Sequence, residues 1–116
     1  MPFNLFGATV RRKRVEQEIG LREMAEKIGG SPAYLSKVET DQFAPPAEDR
    51  VRKIAEILEI DCDELLAMAG KISSDLSEII REHPRELAAL LRHAKGMTAK
   101  DAAQLDRLLP ARPPRR

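Results

Sequence analysis

Apolar residues recur at spacings of three and four through most of this chain, and that spacing is typical of amphipathic α-helices. The pattern is clearest in residues 21–40, where the segments LREMAEKI and SPAYLSKVE are joined by two glycines. Met24 and Ile28 share one face of the first segment. In the second segment, Leu35 and Val38 share a face in the same way. The sequence therefore predicts two short helices, each with an apolar and a polar side, bent across a tight turn.

The turn between these helices contains the residue types that such a turn needs. Gly29 and Gly30 allow positive φ without steric cost, so the chain can leave one helix and enter the next at a steep angle. Ser31 has the hydroxyl of a good N-cap, and Pro32 follows at the first helical position, where an N–H is not needed. Ala25 is small where the two helices must approach closely. Together these residues predict a helix-turn-helix motif.

Further helices are predicted on both sides of this motif. Residues 4–18 form a predicted first helix with Asn4 as its N-cap, and its basic run RRKR belongs either to a solvated face or in part to a binding surface. Residues 47–58 resume the helical spacing after the motif. A fifth helix is capped by Asp61 and closed by Gly70. We therefore expect a five-helix, all-α unit in the first seventy residues.

The rest of the chain predicts about three more short helices. Ser73 or Ser74 can cap the first of them, and Pro84 opens the next. Thr98 caps the last, with Asp101 three residues later in the arrangement of a capping box. Because such short helices are marginal alone, their Leu and Ile faces must be buried against the first domain or against a second copy.

These patterns divide the chain into three parts. Residues 1–70 are predicted to form the helix-turn-helix domain, and residues 71–110 a helical extension for dimerisation or partner binding. Residues 111–116, ARPPRR, are predicted to be a disordered basic tail. The fold class is therefore all-α, with a C-terminal extension.

Composition narrows the class of protein but does not identify a partner. With 20 basic and 19 acidic residues the formal net charge is only +1, so overall charge does not argue for nucleic acid. A single cysteine fits a reducing compartment, and neither a membrane-spanning run nor a signal peptide is recognisable. We expect a cytoplasmic protein.

Catalytic and metal-binding patterns are weak in this sequence. His83 and His93 are isolated, and Cys62 has no Cys or His at ligand spacing, so neither a metal nor a cofactor is predicted. No glycine-rich phosphate loop, nucleophile elbow or paired-carboxylate arrangement stands out. The sequence therefore does not predict an enzyme.

Residues 5–70 resemble the lambda-repressor-like helix-turn-helix family, also called the Cro/repressor or XRE family. The resemblance is carried by VRRKR in the first helix, LREMAEKIGGSPAYLSKVE in the centre and APPAEDRVRKIAEILEIDCDELLAMAG behind it. The resemblance implies a five-helix DNA-binding fold. It also implies a sequence-specific transcriptional regulator, with a repressor favoured over an activator, that is nucleoid-associated when bound to DNA. The chain departs from the family at Gly20, where a Ser or Thr typically caps the second helix, and at Leu21, where a Gln often braces a phosphate.

The resemblance also implies which side chains meet DNA. The family lays its third helix in the major groove, whose edges distinguish all four base pairs. The positions of this chain that match the reading face are Pro32, Ala33, Ser36 and Lys37. The candidates for phosphate contact are Arg22, Tyr34, Thr40 and Gln42, with half-buried packing as the alternative for Tyr34. Arg14 and Glu39 match a family ion pair between the first helix and the end of the third.

The partners expected for such a regulator are an operator in double-stranded DNA and a second copy of the chain. A two-fold dimer reads two half-sites about one helical turn apart and gains both affinity and specificity. The C-terminal helices are the favoured dimer surface, the fifth helix competes, and completion of a monomer core is the other alternative. A rival function is an antitoxin-like or adaptor protein whose C-terminal helices hold a protein partner.

Overall fold

The computed structural model describes residues 5–109, in which all regular secondary structure is α-helical. The eight helices of this part of the chain are α1 (Leu5–Glu16), α2 (Leu21–Lys27), α3 (Pro32–Glu39), α4 (Glu48–Leu58), α5 (Cys62–Met68), α6 (Ser74–Glu82), α7 (Pro84–Ala94) and α8 (Ala99–Leu108). The predicted all-α fold, with five helices followed by three, is confirmed. The predicted Asn4 cap and the predicted basic tail at 111–116 lie outside the described residues.

The chain separates into two compact units between Leu76 and Ser77. In the first unit, α1 packs against α3, α4 and α5, α2 packs against α3, and α4 packs against α5. The low aromatic content leaves a largely aliphatic core, which includes the apolar faces predicted for the two central helices. Its buried side chains are Phe6, Val10, Met24, Ala25, Ile28, Leu35, Val38, Val51, Ile54, Ala55, Leu58, Cys62, Leu65 and Leu66.

The turn between α2 and α3 uses its two glycines differently. Gly29 has a φ of +78°, which an L side chain rarely adopts. The turn closes as a Schellman motif, with the Gly30 N–H donating to the Ala25 carbonyl at 2.8 Å and the Gly29 N–H to the Glu26 carbonyl at 3.1 Å. At Gly30 the neighbour matters instead: a Cβ there would lie 3.1 Å from the Tyr34 ring, so that side chain would have to move by a few tenths of an ångström.

Local capping signals are confirmed at three helices. Ser31 Oγ accepts the Tyr34 N–H at 3.0 Å, with Pro32 opening α3. The Asp61 carboxylate accepts the Glu64 N–H at 3.1 Å at the start of α5, and Thr98 forms the predicted capping box at α8.

The cap predicted for α6 is different in the structure. Ser73 donates its hydroxyl to the Asp75 carboxylate. The first N–H of the helix, from Ser74, donates to Glu48 Oε2 at 3.3 Å, and the Ser74 hydroxyl donates to the same oxygen at 3.2 Å. The start of α6 is therefore held by a side chain from α4, which no local sequence rule indicates.

The second unit contains no buried side chains among its described residues, 77–109. Within it, α7, α8 and the connection between them form an open apolar groove of about 620 Å³. The groove is lined by Leu90, Leu91, His93, Ala94, Met97, Leu105 and Leu109. Leu90 is 62% exposed and Leu108, on α8, is 82% exposed, so this unit presents a largely uncovered apolar surface.

Candidate nucleic-acid interface

Helix α3 has one buried side and one open side. Leu35, Val38 and Glu39 are buried beneath it. On the opposite side, Ala33 and Lys37 are exposed, and Pro32 and Ser36 are half-buried. The structure thus brings the four side chains of the predicted reading face together on the part of α3 that faces away from the core.

An ion pair holds the end of α3 to α1. Arg14 Nε donates to Glu39 Oε2 at 2.7 Å, and Arg14 Nη2 donates to Glu39 Oε1 at 3.0 Å. The Arg14 side chain is 12% exposed and that of Glu39 only 3%. Arg14 Nη1 also donates to the Ile19 carbonyl at 2.9 Å, so the guanidinium bridges three parts of the fold. The hydrogen bond that Arg14 donates to Glu39 raises the pKa of Arg14, despite the opposing effect of burial.

A glycine allows α1 to approach α3 at this point. A Cβ on Gly7 would lie 2.5 Å from the Val38 carbonyl oxygen and 2.7 Å from that of Glu39. No carbon can occupy such a position unless the backbone moves. The sequence did not indicate this role of Gly7, because a single glycine in a helix does not reveal which other helix it faces.

Two aromatic rings beside α3 lie between two basic side chains, one of which is Lys37 of the predicted reading face. The Arg50 guanidinium lies over the Tyr34 ring, 4.9 Å from its centroid. The Tyr34 and Phe43 rings are 6.0 Å apart, and Lys37 Nζ lies 5.2 Å from the Phe43 centroid. Arg50 Nη2 also donates to the Gly29 carbonyl at 2.8 Å. Sequence reasoning missed both Arg50 and Phe43, which no local pattern marks.

The four predicted phosphate contacts are not alike in the structure. Arg22 is exposed near the start of α2, and Tyr34 is half-buried, with its ring between Arg50 and Phe43. The Thr40 hydroxyl donates to the Ser36 carbonyl at 2.9 Å and accepts from Gln42 Nε2 at 2.9 Å. Thr40 and Gln42 are therefore bonded to each other at the C-terminal end of α3.

The two departures from the family pattern do not disturb the fold. Gly20 is the N-cap of α2 and makes no side-chain cap. Leu21 is half-buried and packs against the core. The position where the family often has a Gln thus contributes apolar packing in this chain.

Within residues 5–109, no three His, Cys, Asp or Glu side chains converge in an arrangement that could hold a metal ion. None of the helices described is long and apolar enough to cross a membrane.

Comparisons with known proteins agree with this geometry. Residues 10–65 match the family model described as Helix-turn-helix. The chain is 30% identical over 74 residues to RghRB of Bacillus subtilis (strain 168), an uncharacterized HTH-type transcriptional regulator. The aligned segment covers 64% of this chain and 53% of RghRB. The chain thus spans about half the length of that relative.

Two further similarities extend the comparison. The HTH-type transcriptional regulator SinR of Bacillus subtilis (strain 168) is 25% identical over 84 residues, covering 67% of this chain and 76% of SinR. The crystal structure of the clp gene regulator ClgR from Corynebacterium glutamicum has a similar fold, with a TM-score of 0.52 and 23% identity. That match covers 84% of this chain and 97% of the ClgR chain.

Proposed function

We propose that the chain is a sequence-specific, double-stranded DNA-binding transcriptional regulator of the XRE type, a repressor, that inserts α3 in the major groove. The match of residues 10–65 to the Helix-turn-helix family model supports this proposal. The observation that carries the proposal is the open side of α3, where the described side chains leave a helical edge uncovered. A major groove admits an α-helix, and its base edges distinguish all four base pairs. DNA binding would place the protein in the cytoplasm, on the nucleoid.

The chemistry of the open edge suits base contacts. Lys37 is the cation among the four residues and can donate to guanine O6 or N7. Ala33 can contact a thymine methyl group, and Ser36 can serve a base or a phosphate. Pro32, at the first turn, adds apolar contact without a competing N–H. Specificity would therefore depend chiefly on Lys37, with smaller contributions from its neighbours.

Phosphate contacts would position the helix on either side of this edge. Arg22, exposed near the start of α2, supplies a charge-assisted donor. Tyr34, Thr40 and Gln42 supply neutral polar groups near the two ends of α3. Thr40 and Gln42 would have to exchange their mutual hydrogen bond for phosphate oxygens, so we assign them a smaller share of the affinity than Arg22.

The test of this proposal is selection of bound sequences from random duplex DNA by the full-length chain. We expect enrichment of two-fold symmetric sites whose half-sites are about 10–10.5 base pairs apart. Binding should also weaken steeply with salt, because phosphate contacts release counterions. A pool that stays random after repeated rounds at low salt would exclude a sequence-specific regulator.

A homodimer formed through the second unit is the second part of the proposal. The groove between α7 and α8 leaves leucines such as Leu90 exposed, and a second copy of the same surface can cover them. We expect the full-length chain to be a dimer by light scattering, and Leu90→Glu to be a monomer. Ala89→Glu is the matched control, because Ala89 is exposed on the same helix but does not line the groove.

The same groove supports one alternative function, an antitoxin-like or adaptor protein that binds a protein partner. Its apolar lining would accept an amphipathic helix from another protein as readily as one from a second copy. A wild-type chain that is monomeric alone would favour this alternative. If Leu90→Glu remained dimeric, the dimer surface would lie elsewhere, with α5 as the competing candidate.

A further inference from the structure

Phe43 is a large aromatic residue outside the core, in the loop that follows α3. It is 44% exposed and belongs neither to the buried cluster nor to the side chains packed on it. The loop is held in place by main-chain bonds, with the Gln42 N–H and the Phe43 N–H donating to the Lys37 carbonyl at 2.8 and 3.1 Å. Burial therefore does not explain the position of this ring.

The loop turns sharply enough to bring the ring back over α3. Asp41 adopts the left-handed conformation, with a φ of 65°, and its N–H donates to the Val38 carbonyl at 3.2 Å. With the Gln42 bond to the Lys37 carbonyl, this completes a Schellman motif at the end of α3. The turn directs Phe43 back toward α3, where its ring lies near both Lys37 and Tyr34.

The ring contacts a side chain on the candidate reading face. Lys37 Nζ lies 5.2 Å from the Phe43 centroid, within the range of a cation–π attraction. The Phe43 and Tyr34 ring centroids are 6.0 Å apart, and the Arg50 guanidinium lies over the Tyr34 ring. A Lys side chain is otherwise a flexible stem that loses rotamer freedom when its ammonium is fixed on a base. The contact with the Phe43 ring limits the rotamer freedom of Lys37 in the absence of DNA.

We propose that Phe43 is a positioning residue for DNA reading, which holds the Lys37 ammonium at the open edge of α3 through its ring face. The proposal rests on the DNA-binding function proposed above. It assigns to the loop after α3 a role in specificity, exerted through Lys37.

The test compares Phe43→Leu with Phe43→Tyr in the full-length chain, each alone and combined with Lys37→Ala. Leu keeps an apolar side chain but removes the ring face, whereas Tyr keeps the ring. Affinities are measured on the selected site and on a scrambled duplex, and the melting temperature of each variant is recorded. We expect Phe43→Leu to lower the ratio of the two affinities by about two- to fivefold at an unchanged melting temperature, and Phe43→Tyr to keep it. In the Lys37→Ala background, Phe43→Leu should cause no further loss.

A second readout does not depend on DNA. The Cε protons of Lys37 should show an upfield ring-current shift in the wild type and in Phe43→Tyr, and lose it in Phe43→Leu. An unchanged proton shift in Phe43→Leu would overturn the proposed contact. An equal loss of discrimination in the Lys37→Ala background would also overturn the proposal, because Phe43 would then act on DNA directly.

The design separates this inference from the function on which it rests. A wild type that discriminates between the two duplexes, with Phe43→Leu discriminating equally well, overturns the role of Phe43 alone. A wild type that binds both duplexes equally overturns the regulator function itself, and the role of Phe43 with it. In that case the ring-current measurement still reports whether the contact between Phe43 and Lys37 exists.

Discussion

Gly7 of α1 lies against the backbone of Val38 at the end of α3, so closely that a Cβ on Gly7 would be 2.5 Å from the Val38 carbonyl oxygen. The obstacle is main chain, which cannot rotate away as a flexible side chain would. This contact and the ion pair between Arg14 and Glu39 join the same two helices. Together they set the distance of α3 from the rest of the domain.

The first prediction is that Gly7→Ala lowers the free energy of unfolding by at least about 2 kcal/mol, because the added methyl forces α1 and α3 apart. Helix propensity alone predicts the opposite, a gain of about 1 kcal/mol for Ala over Gly within a helix. Chemical denaturation measures the difference. Gly20→Ser is the control, since a Cβ there approaches nothing closer than 4.0 Å, and its stability should change by only a few tenths of a kcal/mol. A gain in stability for Gly7→Ala would contradict the close approach.

The second prediction concerns charge reversal in the buried ion pair. Glu39→Lys should lower the free energy of unfolding by about 3–5 kcal/mol, because it leaves the Arg14 charge shielded from water and beside a like charge. Its effect on the preference between selected and scrambled DNA should be smaller. Since the hydrogen bond to Glu39 raises the pKa of Arg14 above its already high ordinary value, the stability that comes from the Arg14 charge is complete at neutral pH and is lost as the pH rises through that raised pKa.

The control for the Arg14–Glu39 pair is an exposed ion pair within α1. Arg12 and Glu16 are 3.6 Å apart and more than half exposed, so Glu16→Lys should change stability by less than about 1 kcal/mol. Thermal melts of the two variants give the comparison. An unchanged melting temperature for Glu39→Lys would show that the pair is not structural.

The parts of this fold that sequence predicted are those determined by neighbouring residues. Helical faces follow from spacing, and caps such as Ser31, Asp61 and Thr98 depend on groups within three residues. The positive φ of Gly29 follows from its position between two helices. Each of these features depends on residues that are close together in the chain, and for this reason the sequence was enough to predict it.

The features that sequence missed depend on contacts between distant segments. Gly7 faces residues more than thirty positions later, and Arg50 reaches back twenty-one positions to the Gly29 carbonyl. Glu48 caps a helix twenty-six positions away. The left-handed conformation of Asp41 was missed for a different reason: the turn that ends α3 is local, but it lacks the Gly that usually marks such a turn. The candidate reading face on α3 was predicted only from the resemblance of the chain to a family whose interface is known.

The third prediction follows from the single cation on that edge. Lys37→Ala should weaken binding to the selected site by about 1–3 kcal/mol and leave binding to scrambled DNA nearly unchanged. Arg22→Ala is the comparison, because a phosphate contact should weaken binding to both duplexes alike and reduce the salt slope by about one unit. Titrations at several salt concentrations separate the two patterns. Equal weakening on both duplexes by Lys37→Ala would make Lys37 a phosphate contact.

The fourth prediction is a pH-dependent start of α6. The pKa of Glu48 is lowered chiefly by the hydrogen bond from the Ser74 N–H. The Ser74 hydroxyl and the nearby charge of Arg52 lower it further. A lowered pKa in the folded state means that the contribution to stability is complete above the ordinary value of 4.5 and is lost as pH falls through the folded value. The Ser74 amide signal should therefore titrate with a midpoint below pH 4.5. Glu48→Gln should abolish the titration, and a midpoint at the ordinary value would contradict the contact.

The last prediction uses a strained residue outside the candidate interface. Glu59 follows α4 in the left-handed conformation, with φ 58° and ψ 44°, which suits Gly far better than an L side chain. Glu59→Gly should raise the free energy of unfolding by about 0.5–1 kcal/mol, the strain removed less the entropy that Gly loses on folding. Lys53→Gly, at an exposed position within α4, should instead cost roughly 1 kcal/mol. Both variants introduce a glycine in the same region, but they should change the free energy of unfolding in opposite directions. Denaturation curves therefore distinguish relief of strain from any general effect of glycine. Loss of stability in both would show that Glu59 is not strained, and discrimination between DNA sites should be unchanged in either case.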